Sequence, residues 1–249
     1  MCEAWTESGK YMQWSHLKAD IRVLMKEHAP KLFFIAIITI VILTIMSEFQ
    51  YRLPGTIISY DELLSRLASG ETPNLSMIVT KFRPLGVVLA FIIFLVRPVI
   101  EVGFMSYCLI TTRGGKGDYR NIFDGFQIFG KTILISIITT VLVTLWSFLL
   151  LFPGLIAQYR YRQAYYILLD NPEKSALECI RESKQLMIGN KLDLFLLDLS
   201  FIGWVICDII VTLMLPTPFS IPIISIWLTP YTGLTFAAYY NLLIRRMVV

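Results

Sequence analysis

The sequence predicts an all-α fold, a polytopic membrane helical bundle of about six transmembrane helices in three hairpin units with cytoplasmic interfacial helices. Hydrophobic residues make up 56% of the 249 residues and charged residues only 16%, against about 25% in an ordinary soluble domain. Two uncharged runs, 132–159 and 209–244, are longer than the roughly 20 residues that cross a hydrocarbon core. Mixed basic and apolar residues lead into a long apolar segment at three similar joints, 24–34, 126–134 and 186–195, which indicates the three units.

Six spans are expected, at 32–47, 85–112, 132–152, 155–170, 192–215 and 223–244. Turn residues divide the two long uncharged runs, Pro153 and Gly154 in the first and Pro216, Pro218 and Pro222 in the second. At a rise of about 1.5 Å per residue, the first span is about 24 Å long and needs flanking polar side chains that reach the interface. The second is about 42 Å long, so it projects from the bilayer or bends at its proline.

The distribution of basic residues predicts the topology. Lysines and arginines accumulate before the first span, in the loops 113–131 and 171–191 and at the C-terminal end, whereas the loop 48–84 carries balanced charges. The positive-inside rule therefore places both termini in the cytoplasm and the protein in the cell membrane. We expect a cytoplasmic amphipathic segment, 1–31, and a six-span membrane domain, 32–249, in which 48–84 is the outer loop and the other two loops are cytoplasmic. No cleavable signal peptide is expected, because the first apolar run begins only after the basic N-terminal segment.

Two helices outside the spans are predicted from the signals at their ends. The capping-box spacing of Ser59 and Glu62 and a following glycine indicate an outer helix at 60–69. A cytoplasmic helix is expected over 171–189, capped by Asn171 and ended by a glycine. This helix lies along the membrane interface or packs as an ordinary helix against the bundle, and the pattern leaves both alternatives open.

The sequence carries no signature of catalysis. Its two histidines, His16 and His28, precede the first span, and no cluster of His, Cys or carboxylates has metal-ligand spacing. The stretch 114–118 is rich in glycine but lacks the residue order of a phosphate-binding loop, so it is interpreted as a cytoplasmic loop. The four cysteines show no paired spacing, which predicts free thiols. We therefore expect neither enzymatic activity nor a metal or cofactor.

Charged residues inside the predicted spans are the candidate site: Arg97, Glu101, Arg160, Arg162, Asp198 and Asp208. Such residues are costly at membrane depth and are functional candidates by default. Arg97 and Glu101 are four residues apart on one helix and are expected to meet. Arg160 and Asp208 lie at similar depth, roughly 10 Å, and are candidates for a second pair. Two interpretations stay open: a polar cavity between spans two, four and five for an anionic headgroup, a peptide or a small solute, or ion pairs that fix helix register.

Several short stretches from about residue 97 to the C-terminal end are typical of one family. They are Pro98 with Glu101-Val102-Gly103, Arg113-Gly114, Phe123 with Gly125-Phe126, Pro153-Gly154, Asp170-Asn171-Pro172, Ser175-Ala176-Leu177-Glu178, Ser183, Gly189-Asn190-Lys191, Ser200-Phe201-Ile202-Gly203-Trp204, and Trp227-Leu228 with Pro230-Tyr231 and Tyr240. In this set the chain resembles the DUF975 family of bacterial integral membrane proteins. The resemblance implies a six-span helical protein of undefined activity.

Two classes of function follow from these observations. The first is a non-enzymatic accessory or interaction protein of the bacterial envelope, of the export-partner or self-protection type, which would co-purify with another protein. The alternative is a small transporter or a lipid-binding, lipid-handling protein with a polar cavity between spans two, four and five, which would retain its ligand. The expected partners are the lipid bilayer and a membrane protein or a lipid or peptide ligand. No nucleic acid is expected, because topology and anionic headgroups account for the net charge of +4.

Overall fold

The computed structural model describes residues 14–52, 68–70, 84–149, 151–214 and 224–248. All regular elements in these ranges are helices, and no strand occurs among them. The elements are α1 (Trp14–Glu27), α2 (Lys31–Arg52), α3 (Pro84–Thr112), a 3-10 helix (Tyr119–Phe123), α4 (Asp124–Gln127), α5 (Phe129–Leu149), α6 (Leu151–Tyr161), α7 (Ala164–Asp170), α8 (Ala176–Leu186), α9 (Lys191–Leu199), α10 (Ile202–Met214) and α11 (Ser225–Val248).

Four stretches of the described residues are long and apolar enough to cross a membrane. They are Lys31–Gln50, Pro84–Thr112, Phe129–Phe148 and Lys191–Thr212, of 20, 29, 20 and 22 residues. They correspond to the first, second, third and fifth predicted spans. Apolar side chains stand exposed along them, as on α2 and α10, which a bilayer tolerates and water does not. The regular structure of the described residues is therefore helical, and its four long apolar stretches fit a membrane protein.

The remaining two predicted spans have a different local structure. The fourth is made of α6 and α7, which are separated by a turn at 162–163. The sixth corresponds to α11, a 24-residue helix with Pro230 inside it and two arginines in its last turn. Neither is among the four long apolar stretches, so the six-span count and the hairpin arrangement stay predictions.

The N-terminal helix α1 packs against α11. Its apolar side chains Leu17, Ile21 and Met25 are buried at this contact. Its Lys18 ammonium donates a hydrogen bond of 2.5 Å to the hydroxyl of Ser200. The helix therefore reaches the break between α9 and α10, a contact that the sequence did not predict.

Two glycines hold the segment between α3 and α5 close to α3. A Cβ placed on Gly103 would lie 1.8 Å from the carbonyl oxygen of Ile122, and one on Gly125 would lie 2.1 Å from that of Val99. Asp124 adds polar contacts, because its Oδ2 accepts hydrogen bonds from the Ser106 hydroxyl and from a nearby asparagine amide at 2.7 and 2.8 Å. The absence of a side chain at both glycines thus permits backbone-to-backbone packing.

The predicted start of the cytoplasmic helix is wrong. Helix α8 begins at Ala176 after Ser175, whose hydroxyl accepts from the Glu178 backbone N–H, while Glu178 Oε2 accepts from the Ser175 N–H. Asn171 instead ends α7, where its N–H donates to the carbonyl of Ile167. The reciprocal box satisfies two otherwise unpaired backbone donors. It therefore sets the helix start at the serine.

Helix α8 also ends before its predicted limit. Its last residue is Leu186, and Gly189, with φ of 79°, lies in the turn that leads to α9. Cys179 and Ile180 are buried, whereas Leu177 is exposed. This burial fits the alternative of an ordinary helix packed against the bundle. The predicted outer helix, 60–69, lies outside the described residues apart from its last two positions.

Candidate functional site

A central cavity of about 920 Å³ lies among seven helices of the bundle. Side chains of α2, α3, α5, α6, α7, α9 and α11 line it, together with Arg162 in the turn between α6 and α7. Three of the six predicted site residues are in its wall, one from each of the predicted spans two, four and five: Glu101, Arg162 and Asp198. The structure thus brings together half of the candidate set around one space.

An ion pair joins two helix breaks at this cavity. Arg162 lies between the end of α6 and the start of α7, and Asp198 lies next to the last residue of α9. The Arg162 Nη1 donates to Asp198 Oδ2, and the guanidinium carbon lies 4.0 Å from the ring centroid of Phe236 on α11. The two charged side chains remain 31% and 28% exposed. They are therefore paired but still accessible from the cavity.

Glu101 forms the ion pair that its spacing predicts. Arg97 Nε donates to Glu101 Oε1 at 3.0 Å, and the two side chains are 41% and 47% exposed. Glu101 lines the cavity, whereas Arg97 is not part of its wall. One carboxylate of the wall thus has its partner outside the cavity.

Threonine hydroxyls supply most of the uncharged polar lining, with Gln158: Thr39, Thr139, Thr140, Thr144, Thr229 and Thr232. Thr39 donates its hydroxyl proton to the Ile35 carbonyl at 2.9 Å. Thr139 donates to the Ile135 carbonyl at 2.7 Å, and Thr232 to that of Leu228 at 3.0 Å. A hydroxyl that donates to its own helix keeps only acceptor capacity for a ligand.

The cavity wall is buried in one part and exposed in another. Tyr161 and Tyr166 in its wall are buried, whereas Thr140 and Thr144 in the second half of α5 are exposed. Tyr166 stacks on Tyr240, with ring centroids 5.0 Å apart. The buried part of the wall therefore lies against the C-terminal half of α11.

Beneath those rings a polar network fixes the ends of α3, α7 and α11. The hydroxyl of Tyr240 donates to Asp170 Oδ2 at 3.0 Å. Two guanidinium nitrogens of Arg113 donate to the same carboxylate at 2.6 and 2.8 Å, and hydrogen bonds to Asp170 raise the pKa of Arg113 further above its usual range. Arg113 also donates to Asn241 Oδ1 at 2.9 Å. This network thus links the ends of α3 and α7 to α11.

A second, smaller cavity adjoins the first. It measures about 410 Å³ and is lined mainly by apolar side chains of α6, α9, α10 and α11. Asp198, Thr229, Thr232 and Phe236 line both cavities. The two cavities therefore share part of their walls.

The predicted pairing of Arg160 with Asp208 is wrong. Asp208 is 9% exposed, and its two carboxylate oxygens accept from the backbone N–H of Ile224 at 2.9 Å and from the hydroxyl of Ser225 at 2.6 Å. It thus caps the start of α11. The carbonyl of Arg160 accepts from the Ser183 hydroxyl at 2.9 Å, and neither Arg160 nor Asp208 lines the cavity.

Sequence reasoning missed the threonine lining and the ion pair between Arg162 and Asp198. The threonines on α5 and α11 recur at spacings of three to five residues, which is a weak signal for one helix face.

Among the described residues, no group of three or more His, Cys, Asp and Glu side chains is placed to hold a metal ion.

Comparison with known proteins gives one match. The family model described as "Protein of unknown function (DUF975)" matches residues 148–247. This confirms the resemblance over the range that holds α6 to α11, and it includes Arg162 and Asp198 but not Glu101. No curated protein and no solved structure matches the chain.

Proposed function

We propose that this membrane protein binds a small amphipathic ligand, a lipid or a hydrophobic solute, in the central cavity. The observation that carries the proposal is the cavity of about 920 Å³ with Glu101, Arg162 and Asp198 in its wall. Its volume lies in the range of about 300–1,000 Å³ typical of small-molecule sites. The adjoining apolar cavity of about 410 Å³ offers space for a hydrocarbon part.

The exposure of the ion pair supports a ligand. Charges at membrane depth carry a desolvation cost, which a purely structural pair offsets by its mutual attraction and by hydrogen bonds that satisfy both side chains. Arg162 and Asp198 instead keep roughly a third of their side-chain surface accessible. A polar group of a ligand can therefore contact them without unpacking the bundle.

The helix breaks support binding or transport rather than catalysis. The breaks after α6 and after α9 lie beside the ion pair, and interrupted helices are a common way to build a solute site within a membrane protein. We extend the proposal to a non-enzymatic, six-span protein of the cell membrane with both termini in the cytoplasm. In this arrangement α6 with α7 forms the fourth span and α11 the sixth.

An accessory or interaction protein of the bacterial envelope is the second candidate. Helix α10 favours it, because Ile202, Trp204, Val205, Ile206 and Ile209 are all exposed. Such a helix faces lipid or the helix of a membrane protein partner. Stable co-purification of a protein, with no small molecule bound, is the result that this candidate predicts.

Native mass spectrometry of the protein in a mild detergent, before and after delipidation, tests the proposal. We expect a ligand that survives delipidation of the native chain and is lost from the double variant Arg162→Gln with Asp198→Asn. Glu173→Gln, at an exposed position between α7 and α8, is the matched control that keeps the ligand. A stoichiometric protein partner without a small molecule would favour the second candidate and overturn the first.

A further inference from the structure

The hydrogen-bonding character of the cavity wall indicates which ligand charge it accepts. Two of its three charged side chains are the carboxylates of Glu101 and Asp198. The hydroxyls of Thr39, Thr139 and Thr232 donate their protons to their own helices, so they present lone pairs to the cavity. Toward a ligand, these three hydroxyls and the two carboxylates therefore act as hydrogen-bond acceptors.

Among the described residues, Arg162 is the cationic side chain of the wall, and it already has partners. Arg162 donates to Asp198 and lies over the ring of Phe236. The position of its guanidinium also shows that the aromatic part of this wall accommodates a positive charge through the face of a ring. An anionic group would have to share the arginine with Asp198 and would also meet the negative charges of Asp198 and Glu101.

Glu101 is the carboxylate with capacity left for a ligand. Its partner Arg97 lies outside the cavity wall, and both side chains are almost half exposed. Because the side chains of this pair are not enclosed, a second cation can reach the Glu101 carboxylate from the cavity. Phe104, one turn further along α3, and Tyr165 on α7 line the cavity with it.

We propose that the ligand of the central cavity carries a cationic group, a protonated amine or a quaternary ammonium, which binds between Glu101 and the aromatic side chains. This inference rests on the proposed function, since it names the class of ligand for the same cavity. The carboxylate supplies charge attraction and the rings supply cation–π contacts. The apolar part of the ligand extends toward the smaller cavity beyond Phe236.

Three probes with the same hydrocarbon chain test this inference. Octyltrimethylammonium, octyl sulfate and octanol are titrated into the protein in phosphatidylcholine nanodiscs, with empty nanodiscs as the reference for partitioning. We expect the ammonium probe to bind about tenfold more tightly than the sulfate probe. We also expect this preference to decrease as ionic strength rises.

Two variants of one ion pair give opposite results. Glu101→Gln should weaken binding of the ammonium probe about tenfold and leave octanol binding unchanged. Arg97→Gln removes the competing cation and should strengthen binding of the ammonium probe. Equal affinity for all three probes would overturn the cationic ligand and leave the proposed function standing. If no probe binds above the empty nanodiscs, the inference and the proposed function both fail.

Discussion

Arg162 and Asp198 form an ion pair that links the break between α6 and α7 to the end of α9. Each residue lies where a helix stops, so each side chain can leave the packed face and enter the cavity. The pair is also 36 residues apart in the sequence. It therefore ties together two regions whose proximity is set by the tertiary fold and not by local spacing.

Removing one partner of this pair should destabilise the protein more than removing both. Breaking a fully buried pair costs about 3–5 kcal/mol, and we expect a smaller cost here because both side chains are partly exposed. We expect Arg162→Gln and Asp198→Asn each to lower the midpoint of thermal unfolding in detergent. The double variant should recover part of that loss. Strictly additive effects in this double-mutant cycle would show that the two side chains do not interact.

Gly103→Ala should destabilise the packing of the 3-10 helix on α3. The added Cβ would lie 1.8 Å from the Ile122 carbonyl oxygen, and backbone cannot move aside as a flexible side chain can. We expect a loss of about 1–3 kcal/mol in the free energy of unfolding. Gly203→Ala on α10, which has no atom within 4 Å of its added Cβ, is the control and should be neutral or slightly stabilising. Equal effects of the two changes would contradict the close approach.

Asp208 should matter for stability and not for ligand binding. Asp208→Ala removes the acceptor for the backbone N–H of Ile224 and for the hydroxyl of Ser225, so it should cost about 1–2 kcal/mol. Asp208→Asn keeps one acceptor oxygen and should cost less. Thermal unfolding measures the loss of stability, and titration of the octyl probes measures ligand binding. Loss of probe binding in a folded Asp208→Asn variant would place this residue in the site after all.

The start of α8 should become less stable in acid. Hydrogen bonds from the backbone and hydroxyl of Ser175 lower the pKa of Glu178. Because the folded-state pKa is depressed, the stabilisation is present above the unfolded-state pKa and is lost as pH falls through the folded-state value. The reference is Glu178→Gln, whose side chain keeps the capping geometry but does not titrate. The amides of α8 in the native chain should be better protected from hydrogen exchange than those of this variant at about pH 6. This difference in protection should be smaller at about pH 3. Identical pH profiles of the two proteins would contradict the role of the carboxylate.

The predicted topology is accessible to labelling. Ala68 and Leu177 are both exposed and suit single-cysteine variants. The cysteine at position 68 should react from the outer side in intact cells, and the one at position 177 should react from the cytoplasmic side in opened cells. The same side for both positions would contradict six spans with cytoplasmic termini.

Local signals in the sequence predicted the features that depend on neighbouring residues. Hydropathy located the four long apolar stretches, and a spacing of four placed Arg97 beside Glu101. The Ser-x-x-Glu signature before α8 is also present in the sequence. The prediction placed the helix start at the asparagine-proline pair instead, which was wrong.

Tertiary contacts determined the remaining features. Asp208 accepts hydrogen bonds from Ile224 and Ser225 at the start of α11. Sequence patterns do not reveal that the chain returns to Asp208 at this point. The partner of Arg162 was missed for the same reason, since depth along a helix does not reveal which neighbouring helix lies beside it. The cavity itself depends on seven helices packing around one space.

Filling the cavity without changing its charge tests the central claim most directly. Thr140→Trp places an indole in the cavity wall, and Ile137→Trp on the same helix places one at an exposed position outside that wall. Native mass spectrometry of both purified variants should show the bound ligand lost from Thr140→Trp and retained by Ile137→Trp, with equal thermal stability. The same ligand adduct on both variants would contradict binding in the central cavity.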